Sequence, residues 1–424
     1  MRQKKFWFRM SGILAVLATA LLLPTGAAAA STFKVLHEFT GKDGANPDAG
    51  LIFDAAGNLY GTTSAGGAFG KGTVFKLTPN SNGSWTESVL HSFCVLTNCA
   101  DGFNPVAGLI FDGAGNLYGT TPLGPGGGSG VVFKLKPNAD GTWTGIVLHS
   151  FTGSPDRTRA SCRSHLRRSG KALRHDRLWG ASSCSNAGCG VVFKLTPNSD
   201  GSWTESVLYS FCSLTNCADG QNPVAGLTLG RSRESLTARH RSVAPRTAVW
   251  LSNWHRSRTE AESVICNFFG AAGDLPEANL NFDVAGNLYG TNLLGGSTTC
   301  ISSGAGCGVV FKLKPKSDGS WAESVLHTFE DHPAANPHAA VIFDAAGNLY
   351  GTTANHDAPL GLGAVFKLAP KSGGGWAYNV LHAFQGKPAI RPFGSLVLDK
   401  AGNPYGTTSD CASGTGCHGV ACRL

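Results

Sequence analysis

Acidic, amide and histidine side chains recur along this sequence at fixed places, and these groups could bind a ligand or do chemistry. An Asp-Gly-x-Asn-Pro phrase occurs three times, at residues 43–47, 101–105 and 219–223. Carboxylate and amide oxygens of this kind bind cations and hydroxyl groups, and they also build tight turns. The ligand-binding candidates in these phrases are Asp43, Asn46, Asp101, Asn104, Asp219 and Asn222.

The histidines favour a structural role over a metal site, because they recur at one strand position. These residues are His37, His91, His149, His327 and His382. His356 and Asp357 have no counterpart in the other repeats, so they join the ligand-binding candidates. The sequence has no Gly-x-Ser-x-Gly, phosphate loop or His-Glu-x-x-His motif. We therefore expect no metal and no cofactor, and no residue stands out as catalytic.

Ten of the 13 cysteines fall in close pairs within loops rich in Gly, Ser and Asn. We predict five local disulfides, which are Cys94–Cys99, Cys184–Cys189, Cys212–Cys217, Cys300–Cys307 and Cys411–Cys417. Zinc binding is the weaker alternative, because zinc sites favour shorter Cys-x-x-Cys spacings and histidine partners. Export, which the N-terminal residues predict, makes these disulfides permissible.

The N-terminal residues 1–30 read as a secretory signal peptide. Basic residues at positions 2, 4, 5 and 9 precede an apolar stretch over residues 13–23 and small residues over 26–30. An uncleaved membrane anchor is the alternative, but the apolar stretch is short for a span. We expect an exported protein at the cell surface, in the periplasm or outside the cell, which does not span the membrane after cleavage.

One repeat fills residues 31–424, which we predict to form a single domain. The phrase Asp-x-x-Gly-Asn-x-Tyr-Gly-Thr recurs with its glycine at positions 57, 115, 286, 347 and 402. Val-Phe-Lys-Leu follows it, and then a Trp leads into Val-Leu-His-x-Phe. The spacing from 115 to 286 is three times the usual period, so two copies are missing from the middle.

The repeat predicts an all-β fold, a β-propeller of four-stranded blades. The first copy has apolar strands at 51–54, 59–63, 73–77 and 86–93, separated by turn residues. Seven units use the whole chain after residue 30. Residues 31–39 are a lone fourth strand, and the C-terminus stops at a third strand. We therefore predict seven blades in a ring closed by the N-terminal strand, with eight blades or an open array as alternatives.

Residues 156–178 and 230–258 break the repeat where the missing copies should be. Together they carry a net charge of +12 and the first 30 residues carry +4, while the whole chain carries +8. The regular repeats are therefore acidic, at −8, which argues against a nucleic-acid partner. We interpret both segments as frameshifted: read one nucleotide along, residues 156–179 can encode TGREPVAGLIFDAAGKPYGTTVYG, a repeat copy. Two genuine Arg-rich insertions are the alternative. A frameshift would disrupt two blades through lost strands.

The combined phrases Gly-Asn-Leu-Tyr-Gly-Thr-Thr at 57–63 and Gly-Thr-Val-Phe-Lys-Leu at 72–77 closely resemble the GloVer-type tandem repeat of exported bacterial proteins. The resemblance implies an exported β-propeller-like protein and carries over no catalytic residue. We expect a binding module for a glycan, a cell-envelope component or another protein, rather than an enzyme. The alternatives are a propeller-type enzyme acting on a carbohydrate or lactone, with one polar cluster at the central channel, and the product of a decayed or mis-sequenced gene.

Overall fold

The computed structural model describes most of the chain after residue 32, and the predicted signal peptide lies outside the described residues. The described residues are 33–127, 130–151, 165–166, 172–176, 190–213, 215, 221–223, 226, 228–229, 235–241, 249–255, 262–268, 270–276, 278–297, 306–330, 335–354, 362–386, 389–410 and 417–424.

These residues are all-β, as predicted. Each regular repeat forms one antiparallel four-stranded sheet in chain order. The helical turns of the described residues are short 3-10 turns, at Thr97–Cys99, Pro125–Gly127 and Gly270–Ala272. Within this part of the chain, no helix is both long and apolar enough to cross a membrane.

Seven sheets are present in the described residues, although gaps separate the described ranges and the blade number stays a prediction. The first two sheets are β2 (Ile52–Phe53), β3 (Leu59–Thr63), β4 (Thr73–Pro79) and β5 (Trp85–Ser92), then β6 (Ile110–Phe111), β7 (Leu117–Thr121), β8 (Val131–Pro137) and β9 (Trp143–Ser150). The third and fourth are β10 (His165–Leu166), β11 (Ala172–Asp176), β12 (Val191–Pro197) and β13 (Trp203–Ser210), then β14 (Gln221–Pro223), β15 (Thr228–Leu229), β16 (Ser235–Arg241), β17 (Val249–His255) and β18 (Glu262–Phe268).

The later sheets repeat this pattern. They are β19 (Asn281–Phe282), β20 (Leu288–Asn292), β21 (Val309–Pro315) and β22 (Trp321–Thr328), then β23 (Ile342–Phe343), β24 (Leu349–Thr353), β25 (Ala364–Pro370) and β26 (Trp376–Ala383). The last sheet combines β27 (Val397–Leu398), β28 (Pro404–Thr408) and β29 (Val420–Arg423) with β1 (Lys34–Glu38) from the N-terminal side.

The recurring Asp-x-x-Gly-Asn-x-Tyr phrase is a hairpin organised by one carboxylate. Oδ1 of Asp54 accepts the N–H groups of Ala56 and Asn58, each at 2.9 Å. Oδ2 accepts the Asn58 side-chain amide at 2.7 Å and the Tyr60 hydroxyl at 3.0 Å. Gly57 has a φ of 86°, which side chains disfavour. The same set of bonds forms around Asp112, Asp283, Asp344 and Asp399.

Most neighbouring sheets pack through a phenylalanine at or just after the end of the fourth strand. Its ring contacts the third-strand phenylalanine of the next sheet, with Phe39 against Phe75 at 4.9 Å between ring centroids. The equivalent pairs are Phe93–Phe133, Phe151–Phe193, Phe268–Phe311 and Phe329–Phe366. These rings are almost fully buried, so each sheet relies on its neighbour for a core.

The N-terminal strand completes the last sheet, as the closed ring requires. β1 pairs antiparallel with β29, with Lys34 opposite Arg423. The last sheet also contacts the first, because the Thr407 hydroxyl donates to the Ala49 carbonyl at 2.9 Å. Chain ends that are far apart in sequence therefore share one sheet, which leaves β29 without a free edge.

The two irregular segments contain strands, which differs from the expectation that strands are lost there. β11 begins seven residues after the start of β10, the same spacing as from β2 to β3. β16 follows β15 at the same interval. Main-chain N–H and C=O groups alone form a ladder, so the regular strands β12 and β18 can pair with segments whose side chains do not match the repeat.

Candidate functional site

The links that vary between repeats lie at one end of the strands, which we call the loop side. Strands run antiparallel within each sheet, so the link from second to third strand and the link to the next sheet emerge together. Main-chain bridges join these two kinds of link, at Ala45 with Ala65, Phe103 with Leu123, and Ile390 with Asp410.

The candidates Asn46 and Asn104 hold the loop side together through their backbones. Both have a φ of 56°, a conformation that Asn adopts more readily than most residues. The N–H of Asn46 donates to the carbonyl of His418 at 2.7 Å, and its carbonyl accepts the N–H of Ser64 at 3.0 Å. Asn104 donates in the same way to the carbonyl of Lys71, at 2.8 Å. Each asparagine thus connects two adjacent sheets.

Asp43 lies in the link that follows the closing strand β1 and contacts a residue of that strand. Its Oδ2 lies 2.9 Å from Nε2 of His37, and its Oδ1 accepts the N–H of Thr40 at 2.8 Å and the Thr40 hydroxyl at 3.0 Å. Burial alone would raise the pKa of Asp43, but the hydrogen bonds from Thr40 and His37 outweigh it and hold the pKa below its ordinary value. Asp43 is therefore an anion that fixes this link.

Asp101 repeats this arrangement in the next link and is buried. Its carboxylate lies 3.0 Å from Nε2 of His91 and accepts the N–H groups of Val95 and Leu96, each at 3.2 Å. Burial opposes these bonds, yet the net effect lowers the pKa of Asp101. A disulfide between Cys94 and Cys99 closes the loop around it. The side chains of Val95 and Leu96 remain 54% and 50% exposed.

Glu87 of β5 adds a second carboxylate to the His37–Asp43 pair. One ligand atom from each of these three residues lies within 4.8 Å of the other two. Among the described residues, this is the group of side chains whose spacing could hold a metal ion. Burial and the nearby Asp43 carboxylate raise the pKa of Glu87 to about 7. Sequence reasoning missed this group, because its members come from a strand, a link and the neighbouring sheet.

The remaining candidates are only partly described. Asp219, His356 and Asp357 lie outside the described residues, and Asn222 is described only as backbone within β14. Cys212, Cys307 and Cys417 are also disulfide-bonded, while their predicted partners Cys217, Cys300 and Cys411 and the pair Cys184–Cys189 lie outside this part of the chain. Cys266 and Cys422 carry thiols.

Asp48 is a second acidic residue that the sequence analysis overlooked. It follows the Asn-Pro of the first link, where other repeats have Val106, His338 and Phe393. Its Oδ2 accepts the Ser64 hydroxyl at 3.0 Å. The hydroxyl of Ser409 is close but lacks normal hydrogen-bond geometry. Burial raises the pKa of Asp48 more than these hydroxyls lower it. Asp48 does not recur in the other repeats, and this difference is the signal by which the sequence could have identified it.

Comparison with known proteins gives one family match. The model of the Gloeobacter/Verrucomicrobia repeat matches residues 25–173 and 181–421. No curated protein matches the chain.

Three solved structures that resemble the chain are distant from it. A chain of a mitotic checkpoint complex has a TM-score of 0.47 and 8% identity, over 100% of this chain and 99% of that one. A periplasmic gluconolactonase of Pseudomonas aeruginosa has a TM-score of 0.45 and 15% identity, over 88% and 94%. A putative oxidoreductase (glucose dehydrogenase) of Thermus thermophilus has a TM-score of 0.42 and 15% identity, over 82% of this chain and 100% of that one. These values are too low to indicate a shared activity.

Proposed function

Because the chain belongs to the Gloeobacter/Verrucomicrobia repeat family, we propose that it is an exported binding module. It works at the cell surface, in the periplasm or outside the cell, and its loop side takes a glycan, a cell-envelope component or another protein. The disulfide at Cys94–Cys99 fits such a compartment. The acidic regular repeats disfavour nucleic acid, whose phosphates require cationic partners.

The preformed loop at residues 94–101 carries this proposal. A disulfide, a buried carboxylate and two main-chain hydrogen bonds hold the loop, yet it presents the apolar side chains of Val95 and Leu96 to solvent. Phe69 on the adjacent loop is also 50% exposed. The two loops are neighbours, because the N–H of Ala68 donates to the Ser92 hydroxyl at 3.3 Å. Rigid loops lose little entropy on binding, so apolar groups held this way favour association.

The test is a binding screen of the purified protein against a glycan array and isolated peptidoglycan sacculi, compared with Leu96→Asp. We expect Leu96→Asp to weaken binding of the retained probe by about tenfold or more, because a charge would be desolvated in the interface. Val284→Asp is the matched control, since Val284 is 87% exposed in a hairpin at the opposite end of the strands. Equal binding by Leu96→Asp and wild type would contradict the proposal.

A hydrolytic enzyme is the second candidate, and Asp48 is the observation that favours it. Its raised pKa and its Ser64 partner suit a carboxylic acid that donates a proton to a lactone or glycosidic oxygen. The discriminating measurement is turnover of aldonolactones and nitrophenyl glycosides. The enzyme hypothesis predicts activity that Asp48→Asn abolishes and Leu96→Asp retains, whereas the binding module predicts no turnover in any variant.

A further inference from the structure

The position of His37 in β1 has counterparts in later fourth strands, which are His91, His149, Cys266 and His327. The side chain at this position faces the fourth strand of the next sheet, and we call such a contact a seam. His149 lies 3.5 Å from the Glu205 carboxylate, and Cys266 lies 3.6 Å from that of Glu323. His327 stacks on the Tyr378 ring, with 4.0 Å between centroids. The partner across the seam therefore changes from sheet to sheet, and with it the chemistry of the seam.

The first seam combines a histidine with two carboxylates, a group that the described residues of the other seams do not form. His37 comes from β1, Glu87 from β5, and Asp43 from the link between their sheets. The second seam has the equivalent pair His91 and Asp101, but Gly145 occupies the place of Glu87. These two seams thus differ by a single carboxylate.

Glu87 has an oxygen that the protein leaves without a partner. Its Oε1 is buried and accepts no hydrogen bond. A buried acceptor that lacks a donor costs free energy, and an ion or a water is one partner that can satisfy it. Two ionised carboxylates brought together beside an imidazole also repel each other, and a bound cation would relieve this repulsion with both carboxylates charged.

We propose that His37, Asp43 and Glu87 bind one Zn²⁺ ion across the first seam. One imidazole nitrogen and two carboxylate oxygens are ligands that zinc accepts in a four-coordinate site, with water as the fourth ligand. The two carboxylates balance the charge of the ion. Binding replaces the hydrogen bond between His37 and Asp43, because zinc requires a coordinating nitrogen without a proton, and the imidazole then carries its proton on the other ring nitrogen.

The place of the site indicates a structural role. His37 lies in the strand that completes the last sheet, while Glu87 lies in the first sheet. Zinc would therefore join the two ends of the sheet array and stabilise the native state by an amount that grows with the logarithm of the zinc concentration above Kd. This role does not depend on the proposed ligand of the loop side.

The experiment is calorimetric titration of Zn²⁺ into the metal-free protein without a histidine tag, with thermal unfolding at each zinc concentration. We expect one zinc ion per chain and a rise in Tm. Glu87→Gln keeps the side-chain volume and should weaken binding by about tenfold or more, as should His37→Gln. The matched control is His91→Gln, which alters the seam that lacks the third ligand and should bind zinc like wild type.

Zinc binding by Glu87→Gln with wild-type affinity would overturn the proposal, as would equal losses in His91→Gln and His37→Gln. If the seam variants do not fold, Gly145→Glu provides an independent test. It supplies the missing carboxylate beside His91 and Asp101, where a Cβ would approach the His91 ring at 3.2 Å. We expect this variant to bind a second zinc ion, and a stoichiometry that stays at one would count against the proposal.

Discussion

The recurring polar side chains of this repeat form hydrogen bonds that stabilise its turns. Four hydrogen bonds from one hairpin converge on Asp54, and the same set is built at four other turns. Burial opposes ionisation there, but the bonds from Asn58, Tyr60 and Ala56 lower the pKa of Asp54 overall. The Asp and Tyr that stand out in the repeat therefore owe their recurrence to the turn.

Asp54→Asn should lower the free energy of unfolding by about 1 kcal/mol at pH 7, because Oδ2 is replaced by an amide that cannot accept the two side-chain donors. The lowered pKa adds stability above the unfolded pKa near 3.8, and that stability is lost as pH falls through the folded pKa. Urea unfolding of both proteins from pH 7 to pH 2 should thus show the difference shrinking in acid.

Asp140→Asn is the control for this measurement. Asp140 is exposed and uses only Oδ1 to accept the N–H and hydroxyl of Thr142. An asparagine oxygen can accept both bonds, so stability at pH 7 should change little. A loss equal to that of Asp54→Asn would show that charge alone, rather than the second oxygen, is responsible.

At the scale of elements, the link between sheets depends on one residue in the left-handed conformation. Asn46, Asn104 and Asn336 occupy this place, but Arg391 does so too, with a φ of 58°. The N–H of Arg391 donates to the Leu362 carbonyl at 2.9 Å, as Asn46 does to His418. The geometry of the link is thus retained even where the residue type is unfavourable.

Arg391→Asn should therefore stabilise the protein. Most side chains pay about 1–2 kcal/mol for this conformation and Asn pays less, so we expect a gain of about 0.5–1 kcal/mol and a higher Tm. Differential scanning calorimetry provides the measurement. Arg391→Ala removes the same exposed side chain without relieving the backbone, and a gain as large in Arg391→Ala would contradict the explanation.

At the scale of the whole molecule, the two irregular segments have the strand spacing of the repeat without its side chains. The shifted reading of residues 156–179 places Ile-Phe at 165–166 and Pro-Tyr-Gly-Thr-Thr at 172–176, where the structure has β10 and β11. We propose that single-nucleotide shifts, as sequencing errors or gene decay, produced these segments. The family match runs through residues 156–173 of the first segment and all of the second, which is consistent with one continuous array.

Sequencing the coding DNA across residues 150–265 tests this proposal. At each segment we expect two compensating single-nucleotide shifts. Correcting them should restore a reading frame that encodes the repeat. If the shifts are absent from the true gene, the native protein is acidic throughout and the binding screen should use the corrected chain. DNA that encodes no repeat phrase in any frame would refute the idea and leave two Arg-rich insertions.

Much of the fold could be predicted from the repeat, because each regular copy contains the residues that form its turns. Gly57, Asn58 and Tyr60 belong to one local hairpin, so a few residues suffice to predict it. The candidate site was harder to predict from the sequence. Asp43 and Asp101 were identified by their recurrence, but their partners His37 and His91 were assigned only a general scaffold role.

By itself, the sequence determined the strands, the hairpins, the local disulfide at Cys94–Cys99 and the shared sheet of the two chain ends, because these depend on local spacing or on a repeated pattern. Only the tertiary structure decided that Glu87 meets His37 and Asp43, and that Asp48 meets Ser64. Such groups form where separate strands and links converge, and no spacing along the chain encodes the distance between them.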